Sequence, residues 1–381
     1  MHGASCLPGS ARARSRYEVG DLARAAGNEL AQRYPLTPEQ QHVLGDIARC
    51  RTAALGGHLE VCPACGLKRP VYDSCCNRHC TKCQALAAQR WLDQRLDRLL
   101  DTHYFHVTFT LPAELRGFAQ SHRQLVYDLL FRAATDTLLD LGRDPRWLGA
   151  QLGITAILHT WSRKLQFHPH LHCVVSGGGL SLDQKRWLGT PPDFLFPVHV
   201  AGALFRGKVM AALHDQLDPS LRDRLYRCRW IVDSRPPFGS AEHVFRYLGR
   251  YTHRVGISNQ RLLRVADGTV TFQTRHGQTE TCSQVEFLRR FLQHVLPRGF
   301  VRIRHYGLLA SRNVPTRLAQ ARRCLLAANT FTPRRLRRRH ADWRSWYRQL
   351  TGLDLRLCPH CGHPGLHCRP LARAPPIQVS S

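Results

Sequence analysis

Acidic residues are scarce in this sequence. Its 381 residues include 27 Asp and Glu against 55 Lys and Arg, which gives a formal net charge of +28. No convincing acidic triad is present, which argues against an active site built from carboxylates. Lysine is rare as well, with five residues, so the positive charge is almost entirely guanidinium. Because guanidinium groups suit phosphates and guanine edges, we expect a folded protein with a polyanionic partner, most simply nucleic acid, rather than a merely solvated basic surface.

Long apolar runs are also missing. No stretch of about 18 uncharged apolar residues is present, so we expect no membrane span. The basic N-terminus lacks the apolar run of a secretory signal.

Cysteine, by contrast, is abundant, and most of the 15 cysteines lie in C-x-x-C clusters. In a large basic chain this pattern favours metal binding in a reducing compartment over disulfides, so we expect a cytoplasmic protein.

The order of hydrophobic patterns predicts an α+β fold. Half-buried or apolar strands are indicated at 106–111, 153–160, 171–176 and 300–306, and Asp267-Gly268 marks a hairpin turn. Helical spacing covers 17–49 with interruptions at its prolines, 86–100, 241–255 and 285–296. Strands that interleave with short hairpins favour a central antiparallel sheet with flanking helices over a parallel doubly wound one.

Composition divides the chain into five regions. We expect a flexible tail at 1–16, a zinc-binding DNA-binding domain at 17–95 and a catalytic domain at 96–310. A basic helical region at 311–355 and a small zinc knuckle with a tail at 356–381 follow.

The first cysteine cluster has the spacing of a structural zinc site. Cys62 and Cys65 are followed, after fourteen residues, by Cys80 and Cys83. Paired C-x-x-C turns at this distance are typical of a closed, four-thiolate tetrahedral zinc site. Other potential ligands crowd the same region and leave room for a second zinc ion or accessory ligands: Cys50, His58, Cys75, Cys76 and His79.

Three histidines alternate along residues 167–175, F-H-P-H-L-H-C-V-V. Alternate side chains of a strand point to one face, so His168, His170 and His172 are expected to project together. Two neighbouring imidazoles on one strand provide two ligands of an open metal site. The alternative is a polar strand face hydrogen-bonded to its neighbours.

Residues 246–254, R-Y-L-G-R-Y-T-H-R, carry two tyrosines four positions apart. On a helix, Tyr247 and Tyr251 share one face. A phenol that attacks a phosphodiester yields a 5′-phosphotyrosine and a free 3′-hydroxyl. The energy of the broken bond is kept in the phosphotyrosine, so the strand can be rejoined without ATP. Taken alone, this spacing is more often core packing. Three nearby arginines can bind phosphates or stabilise developing charge: Arg246, Arg250 and Arg254.

Several motifs occur together in an order that resembles one family. The zinc motif CPACG…SCCNRHCTKC is followed by FHVTFTLP at 105–112 and TWSRKLQFHPHLHCVVSGGG at 160–179. YLGRYTHRVGISNQRL at 247–262 and RIRHYGLLA at 302–310 complete the set. Over roughly residues 50–310 the chain resembles the IS-ninety-one-like group of bacterial insertion-sequence transposases.

The resemblance implies a central sheet of HUH-endonuclease type and rolling-circle transposition of single-stranded DNA from the element ends. His170 and His172 match the family's metal pair, which holds Mg²⁺ or Mn²⁺, and His168 or His253 is a candidate third ligand. Tyr247 and Tyr251 match its two nucleophiles. The FTLP strand is expected beside the histidine strand. The sequence departs from the family's zinc pattern at Cys76 and Thr81, where Arg and Pro are usual.

The C-terminal region combines basic residues, aromatics and further metal ligands. The run RRLRRRH at 334–340 precedes Trp343, Trp346 and Tyr347. Phosphate contacts and base stacking would suit single-stranded DNA, although a solvated helix with inward aromatics fits equally well. The candidate DNA contacts are Arg334, Arg335, Arg337, Arg338 and Arg339. The candidate ligands of a separate zinc knuckle are Cys358, Cys361, His363, His367 and Cys368.

Three other functions compete with the transposase hypothesis. A rolling-circle replication initiator or relaxase shares the chemistry but lacks the zinc prefix and this motif order. A non-catalytic zinc-finger DNA-binding regulator leaves the histidine strand and the tyrosines unexplained. A carboxylate-based recombinase conflicts with the scarcity of acidic residues. The sequence predicts neither an oligomeric state nor the DNA sequences recognised.

Overall fold

A computed structural model describes residues 15–236, 256–328 and 342–374 of the chain. Within these ranges the chain forms ten α-helices and twelve strands. The helices are α1 (Val19–Arg33), α2 (Pro38–Arg49), α3 (Ala85–Leu96), α4 (Arg116–Ser121), α5 (Arg123–Arg143), α6 (Val198–Leu213), α7 (Pro219–Arg227), α8 (Gln284–Leu292), α9 (Ala319–Ala327) and α10 (Trp343–Thr351). The strands are β1 (Gly57–Val61), β2 (Lys68–Tyr72), β3 (Tyr104–Thr110), β4 (Ala150–Trp161), β5 (Phe167–Ser181), β6 (Trp187–Gly189), β7 (Ile231–Arg235), β8 (Leu262–Ala266), β9 (Thr269–Gln273), β10 (Thr279–Ser283), β11 (Ile303–Gly307) and β12 (His367–Leu371).

The central sheet has six strands, and its pairings are antiparallel. Its order is β11-β4-β5-β3-β7, and β6 pairs with the far part of β5. The α+β class and the antiparallel sheet predicted from the sequence are therefore confirmed. The FTLP strand, β3, lies directly beside the histidine strand, β5, with Thr108 opposite His172 and Thr110 opposite His170.

The two faces of the central sheet are covered differently. One face carries the main core, where Phe105, Val107 and Phe109 of β3 pack with apolar residues of β4, β5, α5 and α6. The opposite face is covered in part by α3 and the residues that follow it. Leu92 of α3 and Leu99 just after α3 pack against Tyr104. Because side chains alternate along a strand, the histidines of β5 lie on this second face, away from the main core.

A second core joins the N-terminus to a later part of the chain. Helices α1 and α2 pack against α8 and the small sheet of order β10-β9-β8, and the buried residues of this core span 19–50 and 257–295. The packing thus crosses the boundary expected at residue 95. The predicted hairpin turn is present, with Asp267 and Gly268 at φ of +51° and +68°, the conformation that a two-residue turn of this type requires.

The C-terminal segments do not stand apart from the rest of the chain. Helix α9 packs beside β5 and β6 through an apolar cluster that includes Leu180, Leu318 and Leu325. Strand β12 pairs with β1, so a three-stranded sheet of order β12-β1-β2 contains both an N-terminal and a C-terminal strand. Within residues 356–374, the described part of the predicted knuckle, the chain therefore pairs with the N-terminal sheet and does not form a separate unit. Among the described helices, none is both long and apolar enough to cross a membrane.

Candidate metal centres

Three histidines from two neighbouring strands come together on the second face of the central sheet. His170 and His172 lie on β5, and His159 lies on β4 directly opposite His170. One ring nitrogen from each lies within 4.8 Å of the others. The ring centroid of His159 is 4.4 Å from that of His172, and those of His170 and His172 are 4.8 Å apart. We refer to these residues as the histidine cluster.

The Nδ1 atoms of His170 and His172 both have hydrogen-bond partners, and the Nε2 atom of each can bind a ligand where its Nδ1 is the donor. His170 Nδ1 is 2.7 Å from the carbonyl oxygen of His168 and donates to it, which fixes the tautomer with a lone pair on Nε2. The Nδ1 atom of His172 is 2.8 Å from His106 Nε2 and 3.3 Å from Thr108 Oγ1. Metal-binding histidines are commonly held in this way by their second nitrogen.

Burial keeps the histidine cluster uncharged. It lowers the pKa of His170 to about 4 and holds the pKa values of His159 and His172 well below the ordinary value. His159 is buried, whereas His170 and His172 are half-buried and accessible from one side. Neutral imidazoles carry the lone pair that a metal needs, and partial access leaves room for a substrate.

Positive charge surrounds the histidine cluster. Burial and then the charges of Arg116 and Arg275 lower the pKa of His168. Burial and then Arg235 lower the pKa of His106 to about 4. Arg302 is buried, and its guanidinium carbon lies 5.9 Å from the ring centroid of Trp161. The Trp161 ring in turn stacks on the ring of His159. A phosphate group is the kind of ligand that such surroundings favour.

The described residues on both sides of 237–255 lie close to the histidine cluster. Arg235, near the end of β7, is opposite His106 on β3. Where the description resumes, Gly256 lies against Leu165 and His294. The ring of His294 is 5.9 Å from that of Trp161, the ring that stacks on His159.

The structure distinguishes among the histidines that the sequence pointed to. His168, His170 and His172 do share one face of β5, as their alternation predicted. His168, however, is not among the three whose nitrogens converge, and His159 takes its place. The predicted nucleophiles, one candidate ligand and the candidate DNA-binding arginines all lie outside the described residues: Tyr247, Tyr251, His253, Arg246, Arg250, Arg254, Arg334, Arg335, Arg337, Arg338 and Arg339.

The described cysteines form two four-membered groups, and their membership differs from the grouping expected. Cys50, Cys75, Cys80 and Cys83 have their sulfur atoms within 4.8 Å of one another. Their Sγ atoms are separated by 3.3 Å between Cys50 and Cys83, 3.5 Å between Cys50 and Cys80 and 3.7 Å between Cys75 and Cys83. We call this group the first cysteine cluster.

The second cysteine cluster draws on both ends of the chain. Cys62 and Cys65, at the turn between β1 and β2, converge with Cys358 and Cys361. Placing Cys62 and Cys65 in one site with Cys80 and Cys83 was therefore wrong. The C-x-x-C spacing defines each turn but not which turn it meets, and strand pairing of β12 with β1 brings the C-terminal turn to the N-terminal one.

The remaining predicted zinc ligands lie outside both cysteine clusters. His58 is 3.6 Å from a carboxylate oxygen of Glu60. His79 is buried and accepts a hydrogen bond at Nε2 from the backbone N–H of Leu296. The other residues expected in a C-terminal knuckle, and the extra cysteine near the first cluster, also belong to neither group: His363, His367, Cys368 and Cys76.

The sequence pattern missed two residues of this site, namely His159 in the histidine cluster and His106 beside it. Both lie in runs predicted to be strands, at 153–160 and 106–111. Pairing these strands with β5 and asking which of their polar residues fall opposite the alternating histidines would have found them.

Two family matches cover the regions that contain these residues. Residues 22–111 match the family described as "Transposase zinc-binding domain", and residues 153–316 match the family described as "Putative transposase". The first range includes the first cysteine cluster and the second range includes the histidine cluster. The zinc-binding match and the cysteine clusters together indicate structural zinc.

Two curated relatives extend the comparison over most of the chain. "Putative transposase y4qJ" of Sinorhizobium fredii is 45% identical over 384 residues, covering 93% of this chain and 94% of that protein. "Transposase for insertion sequence element IS801" of Pseudomonas savastanoi pv. phaseolicola is 29% identical over 284 residues, 69% of this chain and 68% of that protein. No solved structure matches the chain. On these similarities, the chain belongs to the IS-ninety-one-like (IS91-like) family of insertion-sequence transposases, enzymes that process DNA.

Proposed function

We propose that this transposase nicks and transfers single-stranded DNA through a 5′-phosphotyrosine intermediate. Tyr247 or Tyr251 is the nucleophile, and the histidine cluster holds the divalent metal ion that activates the scissile phosphate. The observation that carries the proposal is the convergence of three neutral histidines on the second face of the antiparallel central sheet. Such a site, in a transposase with two tyrosines four residues apart, is what the HUH class of endonucleases requires.

The donor set fits a divalent metal ion. His159, His170 and His172 would each provide one imidazole nitrogen and leave other coordination positions for DNA or water. Bound there, the ion would polarise the scissile phosphate and stabilise charge on its oxygens. Imidazole is a softer donor than Mg²⁺ prefers, so we expect Mn²⁺ to support the reaction at least as well as Mg²⁺.

The reaction itself conserves a phosphodiester bond. The phenol oxygen of the tyrosine forms a bond to phosphorus while the bond from phosphorus to the 3′-oxygen breaks. The phenol gives up its proton and the departing oxygen takes one up, which leaves a free 3′-hydroxyl. Attack of a 3′-hydroxyl on the phosphotyrosine reverses these changes and joins strands without a nucleotide cofactor. Two tyrosines allow two such transfers in succession.

Arginine supplies the electrostatic part of the site. Arg116, Arg235 and Arg275 lie near the histidines on different elements, and their charges lower histidine pKa values. Phosphate groups of a DNA strand that crosses the second face of the sheet would be drawn to these guanidinium groups. The fixed positive charge also favours the extra negative charge that develops at phosphorus.

A non-catalytic DNA-binding regulator is less consistent with the same residues. Structural zinc and positive charge would serve a regulator equally well. The convergence of three neutral imidazoles, with one ring nitrogen of each within 4.8 Å of the others, serves no evident purpose in DNA binding, however. Such an arrangement is understandable if the three nitrogens bind one metal ion.

A covalent adduct assay tests the proposal. The full-length chain is mixed with single-stranded oligonucleotides that carry the element's terminal sequences and with Mn²⁺, and adducts are resolved on a denaturing gel. We expect adduct with the wild type and none with the double variant Tyr247→Phe, Tyr251→Phe. The matched control is Tyr226→Phe, at a half-exposed tyrosine of α7, which should leave adduct formation unchanged. Equal adduct from the double variant would refute the nucleophile assignment.

The metal role is tested in the same assay. Chelation of Mn²⁺, or the double variant His170→Ala, His172→Ala, should abolish the adduct while leaving DNA binding in a gel-shift assay largely intact. Adduct formation that persists after both treatments would show that the histidine cluster does not act in the reaction.

A further inference from the structure

We propose that a second structural zinc ion joins the two ends of this chain, bound by Cys62, Cys65, Cys358 and Cys361. This second cysteine cluster is independent of the histidine cluster and of the tyrosine chemistry. Only its N-terminal half lies within residues 22–111, which match the transposase zinc-binding domain. The proposal assigns its other half to residues that follow the central sheet.

The two halves of the second cluster are built in the same way. Their sequences are C-P-A-C-G at 62–66 and C-P-H-C-G at 358–362. In each, the N–H of the glycine donates to the carbonyl of the first cysteine, at 3.0 Å for Gly66 and 2.9 Å for Gly362. Both glycines have positive φ, +70° and +73°, which other residues rarely adopt.

A further backbone bond closes each turn. The N–H of Cys62 donates to the carbonyl of Leu67, and the N–H of Cys358 donates to that of His363, both at 2.9 Å. The chain thus makes the same tight turn twice, with two sulfur atoms on its inner side each time. Two such turns facing each other are the usual way to build a four-cysteine zinc site.

The sulfur separations agree with coordination to one zinc ion. Sγ of Cys62 is 3.7 Å from Sγ of Cys361, and Sγ of Cys65 is 3.7 Å from Sγ of Cys358. Zinc–sulfur bonds of about 2.3 Å in a tetrahedron place sulfur atoms about 3.8 Å apart. A disulfide would bring a pair to about 2.0 Å. The geometry therefore fits a closed metal site and excludes an oxidised pair.

The surroundings explain why the C-terminal segment needs such a site. Among the described side chains of 342–374, Cys358 alone is buried. The segment's other contacts with the rest of the chain include the pairing of β12 with β1, the hydrogen bond from the N–H of Ala374 to the carbonyl of Ala53 and the contact of Trp346 with Arg90 of α3. A segment without a core of its own is commonly stabilised by a metal ion. Zinc at the second cysteine cluster would hold the segment that contains α10 and β12 to the N-terminal strands β1 and β2.

Zinc stoichiometry of the full-length chain tests the proposal. All proteins carry His170→Ala and His172→Ala, so that the histidine cluster cannot contribute zinc. This background should contain two zinc ions per chain by elemental analysis. Replacing Cys62 and Cys65 by Ser should leave one, and replacing Cys358 and Cys361 by Ser should also leave one. The control Cys368→Ser, at an exposed cysteine of β12, should keep two.

The combination of all four replacements decides whether the site is shared. A shared site predicts that the quadruple variant still holds one zinc, because both pairs belong to the same ion. Separate N-terminal and C-terminal sites predict that the second pair removes a further zinc ion. That result, or a background containing a single zinc ion, would overturn the proposal.

X-ray absorption at the zinc edge gives a second test with every cysteine in place. In the histidine-cluster variant, we expect four sulfur ligands at about 2.3 Å for each zinc and no imidazole contribution. A nitrogen signal equivalent to one or more histidines per site would assign the C-terminal zinc to His363 or His367 and would contradict the four-cysteine site.

Discussion

The Nε2 atom of His106 lies 2.8 Å from the Nδ1 atom of His172. The two rings are also stacked, with centroids 4.9 Å apart. Where Nδ1 of His172 is the donor in this contact, its Nε2 carries the lone pair that a metal can bind. In the proposed site His106 is therefore a positioning residue, which holds His172 in one tautomer and one orientation.

His106→Ala should weaken Mn²⁺ binding by about 10- to 100-fold, the usual effect of losing a partner that orients a metal ligand. Titration of the full-length chain with Mn²⁺, followed by electron paramagnetic resonance of the free ion, measures this. His106→Gln, which retains a polar group near Nδ1, should recover part of the affinity. His305→Ala is the control, since His305 hydrogen-bonds Thr155 and Arg95 instead. Equal affinity of His106→Ala and wild type would remove His106 from this role.

His159→Ala should reduce Mn²⁺ affinity more than His106→Ala does, since it removes a proposed ligand rather than a partner of one. His168→Ala should change it little, because the His168 side chain lies outside the histidine cluster. The same Mn²⁺ titration, together with the adduct yield at saturating Mn²⁺, compares the His159→Ala and His168→Ala variants. A larger loss for His168→Ala than for His159→Ala would mean that the third ligand has been assigned incorrectly.

The part of the histidine cluster that lies within one strand could be predicted, and the part that crosses between strands could not. Alternation along 167–175 is a local property of extended backbone, and it correctly placed three histidines on one face. Which residue of a neighbouring strand meets them depends on register, which tertiary packing sets. His159 reaches His170 only because β4 and β5 pair with these two residues opposite each other.

The same division explains the zinc sites and the domains. The C-x-x-C turns that begin at Cys62 and Cys358 are fixed by local hydrogen bonds and could be recognised. Cys65, however, meets Cys358 only after the chain has passed through the central sheet. Apolar periodicity predicted β3, β4 and α8 but not the helices α5 and α6, and the helix predicted at 241–255 lies outside the described residues. The packing of α1 and α2 against α8 could not be predicted, because a long-range contact leaves no periodic signal in either segment.

Cys50→Ser should remove one zinc ion and destabilise the core formed by α1, α2 and α8. Cys50 is buried at the centre of the first cysteine cluster, and its replacement leaves the three other thiolates without a complete shell. We expect a fall in the midpoint of thermal unfolding of at least about 5 °C, measured by circular dichroism. Cys76→Ser serves as the control, because Cys76 is exposed and outside the cluster. If both variants retained full zinc and the same midpoint, Cys50 would not be a ligand.

Single-stranded DNA binding should weaken steeply with salt, because the net charge of +28 is dominated by arginine. On single strands, the slope of log affinity against log salt is about −0.7 for each phosphate that the protein neutralises. Replacing Arg334, Arg335, Arg337, Arg338 and Arg339 by Gln should make this slope shallower by about 0.7 for each phosphate that is no longer bound. Measured by fluorescence anisotropy on several single-stranded oligonucleotides of unrelated sequence, the change in this slope should be the same for each oligonucleotide. An unchanged slope would exclude this run from the DNA-binding surface.

The most direct test of the tyrosine chemistry is to identify the residue that carries the DNA. Arginines at 246, 250 and 254 separate the two tyrosines on digestion with trypsin, giving the peptides Tyr247-Leu-Gly-Arg250 and Tyr251-Thr-His-Arg254. After adduct formation, nuclease trimming and trypsin, mass spectrometry should find the nucleotide on one or both of these peptides. A nucleotide on any other peptide, or an adduct that yields neither, would contradict the assignment of the nucleophile.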